Sequence, residues 1–214
     1  MSNISSDLEL ALRIADAADQ LSMSRYLAND LAIETKPDAT PVTEADQAVE
    51  FAIREMLKAE RPTDLIVGEE FGGEAALSPA RRWIVDPIDG TKNYLRGVPV
   101  WATLIALAEG DKVLLGVVSA PAMNRRWWGS ADGAFTQDAN GTVREIRVSA
   151  VAELSDASFS YSDAVGWDRY GDSGPKGLQQ LIENSWRSRA YGDFLSHMFV
   201  AEGAVDFAAE PILE

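Results

Sequence analysis

The sequence of 214 residues predicts an α+β lobe followed by an α/β lobe. Two segments with helical spacing of apolar residues come first, short β-rich runs follow to about residue 148, and strands alternate with helices after about residue 151. This order is typical of layered structures in which helices cover sheets. We therefore expect an N-terminal α+β lobe over residues 1–150 and a C-terminal α/β lobe over residues 151–214.

Two helices are predicted at the start of the chain. Apolar residues recur at helical spacing over residues 7–30, and Ser5 or Ser6 is placed to cap the first turn. Residues 34–42 contain two prolines and predict a loop or irregular ribbon. Thr43 then caps a second helix, whose acidic first turn suits the positive end of the helix dipole.

Short runs rich in β-branched and aromatic residues predict the strands. In the N-terminal lobe these runs cover residues 65–68, 83–85, 101–108, 113–119 and 146–148, with turn signals at Asp132-Gly133 and Asn140-Gly141. In the C-terminal lobe the predicted elements are strands at 157–161 and 205–208 and helices at 177–184 and 194–203.

Composition excludes several kinds of chemistry. The chain has no cysteine and one histidine, which removes disulfides, thiolate nucleophiles and metal sites built on several imidazoles, and disfavours a Ser-His-Asp triad. A formal net charge of −15 disfavours binding to nucleic acid or to an anionic membrane. The N-terminus is acidic and no apolar run approaches about 18 residues, so we expect a soluble cytoplasmic protein.

Two acidic clusters follow neighbouring predicted strands. Glu69 comes directly after one strand, and Asp86 and Asp89 come after the next. Ligands collect at the carboxyl ends of strands in layered α/β structures. Gly90 permits a tight turn there, so the carboxylates and the carbonyl oxygen of Ile88 can face one point.

Oxygen ligands of this kind suit Mg²⁺ or Mn²⁺, which bind phosphate oxygens and stabilise an in-line displacement. Residues 90–95 read as a tight turn and one helical turn, in which the N–H groups of Gly90 and Thr91 are placed to hold a phosphate. The sequence therefore predicts phosphoryl transfer. The alternative is that each cluster is an ordinary turn or solvated loop.

Three motifs also carry a family resemblance. They are PVTEAD at residues 41–46, GEE at 68–70 and WIVDPIDGTKNY at 83–94. With these motifs the sequence, from Lys36 to Glu210, resembles the inositol monophosphatase superfamily of magnesium-dependent, lithium-sensitive phosphatases. The resemblance implies a layered α/β/α/β/α sandwich of the inositol monophosphatase and fructose-1,6-bisphosphatase type, and a homodimer that acts on a small phosphorylated metabolite.

The resemblance also implies a ligand set for two or three Mg²⁺ ions, with Mn²⁺ as a possible substitute. Glu69, Asp86 and the Ile88 carbonyl bind the first ion, and Asp86 and Asp89 reach a second. Glu70 is a secondary ligand of a further ion. Members of the family continue past the Glu210 region with a Trp-Asp pair that completes the second site, and this sequence ends before it. We therefore expect either a truncated chain or a chain that lacks one ligand.

Catalytic roles follow from the same resemblance. Asp46 pairs with Thr91, and this pair orients and activates a water bound to the metal, together with Glu69. Because an activated water is the nucleophile, no covalent phosphoenzyme is required. Without the resemblance, Asp46 is an ordinary carboxylate in the first turn of a helix.

Substrate choice is expected to lie in the C-terminal lobe. The stretch RAYGDF at residues 189–194 replaces a small Gly-Thr-Ala type turn and resembles the histidinol-phosphate phosphatases of the superfamily. Asp193 and Glu210 are placed to pair with the ammonium and imidazole of such a substrate, with Arg189 and Asp89 as further contacts. The alternative for Asp193 is a helix N-cap.

The leading functional hypothesis is thus a histidinol-phosphatase of histidine biosynthesis. An inositol monophosphatase or a related sugar or nucleotide phosphatase is the alternative within the family. A non-catalytic, metal-dependent binding protein is the alternative from another class. Metal-dependent release of phosphate from a panel of esters separates the three.

Overall fold

The computed structural model describes residues 4–35, 41–73 and 79–211. The chain divides into two compact units, Met1–Glu145 and Ile146–Glu214. The helices of the first unit are α1 (Ile4–Arg25), α2 (Glu44–Glu60) and α3 (Thr91–Arg96). Its strands are β1 (Ile33–Thr35), β2 (Pro41–Thr43), β3 (Leu65–Gly68), β4 (Arg81–Asp89), β5 (Ala102–Glu109), β6 (Lys112–Ala120), β7 (Arg125–Ser130), β8 (Gly133–Gln137) and β9 (Val143–Glu145).

Strands β3 to β9 form one sheet in sequence order. Neighbouring strands from β4 onward are antiparallel, whereas β3 and β4 are parallel. Helix α3 lies in the connection between β4 and β5, and the later connections are short. Strands β1 and β2 form a separate antiparallel pair that leads into α2. The parallel pair matters for function because it brings the carboxyl ends of β3 and β4 to the same edge.

The core of the first unit lies between the long helices and the sheet. Apolar side chains of α1 and α2 pack against the inner faces of β4, β5 and β6, and the burial of this surface is the main force that holds the layers together. The buried members are Leu10, Ala11, Ile14, Ala15, Ala18, Val49, Ile53, Leu57, Trp83, Val85, Ile105, Leu107, Leu115 and Val117.

The two predicted helices of the first unit are confirmed, with corrected bounds for the first. Helix α1 begins at Ile4, so Ser5 and Ser6 lie inside the helix and do not cap it. It ends at Arg25, before the predicted end at residue 30, and Leu27 has the left-handed φ of 65°. At this point the Tyr26 ring packs against the rings of Tyr94 and Trp101, at 5.4 and 5.3 Å between centroids.

Two predictions for irregular and extended segments are wrong in part. Both ends of the predicted loop over residues 34–42 belong to the paired strands β1 and β2, and residues 36–40 between them, which include Lys36, lie outside the described part of the chain. The predicted strand at 146–148 is absent, and β9 lies at Val143–Glu145 instead. A turn in which Asp138 N–H donates to the Thr142 carbonyl sets this register, because pairing starts at the residues nearest the turn.

The second unit contains a small parallel sheet. Its strands are β10 (Ser158–Ser160), β11 (Arg187–Arg189) and β12 (Phe207–Ala208), in the order β11-β10-β12, and its helices are α4 (Ser173–Asn184) and α5 (Asp193–Ala201). Strands β10 and β12 and both helices confirm the predicted elements with shifted ends, whereas β11 was not predicted from the sequence. Helix α4 begins four residues before its predicted start at 177. Within the described residues, no helix is both long and apolar enough to cross a membrane.

Candidate active site

The parallel register of β3 and β4 places two predicted metal ligands side by side. Gly68 lies opposite Val85, so Glu69 and Asp86 follow at adjacent positions of the two strands. The Glu69 N–H donates to the Val85 carbonyl at 3.2 Å, which continues the ladder one step past the end of β3. The backbone therefore holds these two carboxylates next to each other.

A bulge in β4 brings Asp89 to the same face as Asp86. The two aspartates are three positions apart, and in a regular strand this spacing directs side chains to opposite faces. Here Asp86 lies opposite Leu104, whereas Asp89 lies opposite Ala102. Three steps along β4 thus match two along β5, and the extra residue returns both carboxylates to one face.

The clustered carboxylates perturb one another. Burial raises the pKa of Asp86 well above its ordinary value, and the negative charges of Asp89 and Glu69 raise it further. Glu69 and Asp86 also share a side-chain hydrogen bond. Several acidic groups at one buried point favour either a shared proton or a bound cation.

The donor set fits Mg²⁺. Oδ1 of Asp86 is buried and has no hydrogen-bond partner within the part of the chain that is described, so one oxygen remains for an ion. Carboxylate and carbonyl oxygens are the ligands that Mg²⁺ prefers. Among residues 4–35, 41–73 and 79–211, no three acidic, histidine or cysteine side chains already converge as a ligand group.

Asp46 lies in the first turn of α2 and is fully buried. Its Oδ2 accepts from the Thr43 N–H at 2.9 Å and from the Thr43 hydroxyl at 2.5 Å, while the Thr43 hydroxyl oxygen accepts from the Asp46 N–H. This capping box confirms Thr43 as the N-cap and sets the direction of the carboxylate. Burial raises the pKa of Asp46, and the hydrogen bonds from Thr43 oppose that shift.

Thr91 is the first residue of the short helix α3, as the turn signal at Gly90 predicts. Gly90 has the left-handed φ of 86°, a conformation that glycine adopts without steric cost. The Thr91 hydroxyl lies 3.3 Å from Asp46 Oδ1 and 3.1 Å from the Ile88 carbonyl oxygen, and it can donate to either. The structure therefore brings the predicted pair, Asp46 and Thr91, within reach of each other.

A buried cluster that contains aromatic rings anchors α3. The Tyr94 ring packs edge-on against Trp101 at 4.9 Å between centroids, and its hydroxyl donates to the Ser22 carbonyl at 2.7 Å. Ile88 is fully buried in the same cluster. Because Ile88 and Tyr94 are anchored, the Ile88 carbonyl and Thr91 between them have little freedom to move.

Of the four predicted substrate residues, Asp89 lies at the end of β4 in the first unit, and the other three belong to the second unit. Arg189 is the last residue of β11, and Glu210 comes just after β12. Because β10 pairs in parallel with both strands, the two residues lie at the same edge of that sheet. Glu210 Oε2 accepts from the Ser162 N–H at 3.2 Å and from the Ser162 hydroxyl. Asp193 is the first residue of α5 and not its N-cap; Gly192 occupies that position, and its N–H donates to the Ser196 hydroxyl oxygen at 3.1 Å.

Comparison with known proteins identifies the family to which this arrangement belongs. A model of the inositol monophosphatase family matches residues 3–211. The chain belongs to the inositol monophosphatase family. The predicted family is therefore confirmed.

Individual relatives in this family are also similar over most of the chain. A histidinol-phosphatase of Streptomyces coelicolor is 54% identical over 97% of this chain and 78% of its own length. A histidinol-phosphatase of Mycobacterium tuberculosis is 54% identical over 96% of this chain and 78% of its own length. A solved IMPase structure from Thermotoga maritima, 30% identical, has a TM-score of 0.80 and covers 96% of this chain and 76% of that chain. The last likeness confirms the predicted fold class.

One buried carboxylate next to the site of this family member was missed from the sequence. Glu50 is fully buried on α2 and accepts from the N–H of Glu70, the residue after the predicted ligand Glu69. A signal was present, because Glu50 lies on the same helical face as Ile53 and Leu57, where an apolar residue is the norm.

Proposed function

We propose that this chain is a magnesium-dependent histidinol-phosphatase, which converts histidinol phosphate and water to histidinol and phosphate. The observation that carries the proposal is the similarity of nearly the whole chain to two proteins named histidinol-phosphatase. The carboxylate cluster around Asp86 supports it independently, since such a cluster suits the cation that a phosphate ester requires.

The first unit holds the ions in this proposal. Glu69, Asp86, Asp89 and the Ile88 carbonyl are the ligands for two or three Mg²⁺ ions, which Mn²⁺ can replace, and Glu70 is a secondary ligand. When bound, Mg²⁺ supplies positive charge that stabilises the phosphoryl oxygens and makes a nearby water more acidic. The backbone around Gly90 and Thr91 binds the phosphate group.

Thr91 and Asp46 carry the proton away from the attacking water. The Thr91 hydroxyl accepts a proton from water while it donates its own proton toward Asp46 Oδ1, which lies 3.3 Å away. The raised pKa of Asp46 favours this step because a carboxylate with a higher pKa is a stronger base. The hydrogen bonds from Thr43 keep the carboxylate in one orientation throughout.

The second unit recognises the alcohol part of the substrate. Histidinol carries an ammonium and an imidazole, and Asp193 and Glu210 supply negative charge for them, with Arg189 and Asp89 as further contacts. Oε1 of Glu210 supports this role, since it is buried without a hydrogen-bond partner within the described part of the chain. A homodimer in the cytoplasm completes the proposal.

Phosphate release from histidinol phosphate and from inositol 1-phosphate, each with Mg²⁺ and with EDTA, tests the function. We expect release that requires Mg²⁺ and is faster from histidinol phosphate. Faster release from inositol phosphate would retain the metal mechanism and overturn the substrate assignment. No release from either ester, in protein that still binds Mg²⁺, would favour a non-catalytic binding protein.

A further inference from the structure

The ion pair of Glu50 and Arg54 on α2 makes hydrogen bonds to the loop that follows the proposed ligand Glu69. Both oxygens of the fully buried Glu50 carboxylate are used: Oε2 accepts from the Glu70 N–H at 2.7 Å, and Oε1 accepts from the Phe71 N–H at 3.2 Å. Oε1 also accepts from Arg54 Nε at 2.7 Å, one helical turn along α2. A carboxylate that receives three donors in the interior is firmly oriented.

The same ion pair closes the other end of the loop. The Arg54 guanidinium donates to the Gly72 carbonyl and lies 5.9 Å from the centre of the Phe71 ring. The Gly72 carbonyl also accepts from the Gly68 N–H at 3.1 Å, so the loop returns to the strand from which it leaves. Glu50 and Arg54 thus bind three consecutive residues, from Glu70 to Gly72.

The position of Gly68 shows how closely Glu50 approaches the strand. A Cβ on Gly68 would overlap the Glu50 carboxylate, so the glycine leaves the space that this carboxylate fills. Glu69 lies between two backbone restraints as a result. Its own N–H is bonded to the Val85 carbonyl, and the next N–H along the chain is bonded to Glu50.

We propose that Glu50 is a positioning residue that holds Glu69 in the direction required for metal binding. The inference rests on the proposed metal-dependent function. Glu50 acts on the backbone on the C-terminal side of Glu69, because rotation of the peptide between Glu69 and Glu70 would break its hydrogen bond. A ligand whose direction is set before the ion arrives loses less conformational freedom on binding.

The test is Mn²⁺ binding to the full chain, measured by electron paramagnetic resonance without substrate. In Glu50→Gln the carboxamide accepts on one oxygen only, so one loop N–H loses its acceptor. We expect Mn²⁺ affinity to fall by about 10- to 100-fold, the range for contacts that support a metal ligand. The matched control is Glu55→Gln on the same helix, where the carboxylate is exposed and pairs only with Lys58 in the described structure; affinity there should equal that of the wild type.

Amide hydrogen exchange of the metal-free proteins separates positioning from general stability. We expect the Glu70 and Phe71 amides to exchange faster in Glu50→Gln while amides of the central strands keep their protection. Faster loop exchange with unchanged Mn²⁺ affinity would overturn the proposal, as would unchanged loop exchange. Should Glu50→Gln not fold, exchange in the wild type decides, since coupling is reciprocal: added Mg²⁺ must slow exchange at Glu70 and Phe71, and no change would overturn the proposal.

The outcomes also distinguish this proposal from the proposed function. A wild type that binds Mn²⁺ but does not hydrolyse histidinol phosphate would contradict the substrate assignment and leave the role of Glu50 standing. A wild type that binds no Mn²⁺ would overturn both. Impaired Mn²⁺ binding together with faster loop exchange in Glu50→Gln, and normal Mn²⁺ binding in Glu55→Gln, would support the positioning role whatever the substrate is.

Discussion

Oδ1 of Asp46 lies 3.3 Å from the Thr91 hydroxyl, although 45 positions separate the two residues in the chain. Asp46 is held by the capping box of α2, and Thr91 begins α3 directly after the bulged end of β4. One carboxylate oxygen is occupied by Thr43, and the other faces Thr91. Asp46 therefore connects the start of α2 to the edge of the sheet where the acidic cluster lies.

Removal of the Asp86 charge should separate metal binding from stability. Loss of a contact that supports a metal ligand lowers activity by about 10- to 100-fold. We expect Asp86→Asn to lower turnover by more than this, because it changes a ligand itself. The melting temperature of the metal-free variant should equal or exceed that of the wild type, because the substitution removes a buried negative charge that is repelled by Asp89 and Glu69. Calorimetry in EDTA and phosphate release in Mg²⁺ measure the two effects. The exposed Asp111→Asn is the control, and near-normal turnover in Asp86→Asn would contradict the mechanism.

A hydroxyl at position 91 is required if Thr91 relays a proton. We expect Thr91→Val to reduce kcat for histidinol phosphate by about 10²- to 10⁴-fold, the usual contribution of general acid–base catalysis, whereas Thr91→Ser should retain most of it. The two variants are compared at saturating Mg²⁺, so that a change in metal affinity does not enter. Equal kcat in the serine and valine variants would show that the hydroxyl is not needed.

Asp193 should discriminate between cationic and uncharged substrates. We expect Asp193→Asn to raise KM for histidinol phosphate about tenfold, which is about 1.4 kcal/mol of binding, and to leave KM for inositol 1-phosphate nearly unchanged. Asp172→Asn is a suitable control because Asp172 is exposed and makes no capping hydrogen bond with its side chain. An equal change in KM for both esters would argue for a structural role of Asp193.

Asp19 should make stability depend on pH, away from the active site. Burial raises the pKa of Asp19, against the hydrogen bond from Ser119 and the charge of Arg126; Asp16 adds a small rise. Since the folded state holds this proton more tightly than the unfolded state, the stabilisation is present below the unfolded pKa and is lost as pH rises through the folded one.

The comparison that checks this is thermal unfolding of wild type and Asp19→Asn in EDTA at several pH values from about 3 upward, where unfolded aspartate begins to ionise. We expect the stability of the wild type relative to the variant to fall as pH rises through the raised pKa of Asp19. A difference that is constant or grows with pH would contradict the prediction. The attraction of Arg126 does not reverse this slope, because it acts on ionised Asp19 and is already included in the raised pKa of that carboxyl.

Several elements of the first unit follow directly from local sequence signals. The predicted strand at 65–68 is observed with the same bounds, and Thr43 caps α2 as its position before an acidic turn indicates. The short helix α3 follows the Gly90 turn. The cap and the short helix depend on hydrogen bonds within a few residues, and the strand is indicated by its run of β-branched and apolar residues, so the local sequence is sufficient to predict them.

Other features required the folded chain. The left-handed turn at Leu27 ends α1 where Tyr26 meets aromatic residues from distant segments, and the strand at Val143–Glu145 takes its register from the preceding turn. Glu50 attracted no functional prediction because its partners, Glu70 and Phe71, lie about twenty positions away.

By itself the sequence determined the family, most of the helices and strands in their order, and the acidic residues at the carboxyl ends of β3 and β4. These properties can be predicted from the spacing of apolar residues and from motifs of consecutive residues. Only the tertiary structure decided that Asp86 and Asp89 share a face, that Thr91 reaches Asp46, and that Glu50 grips the loop after Glu69. The reason is physical: a bulge depends on pairing with a neighbouring strand, and a buried carboxylate is stable only where the fold brings donors to it.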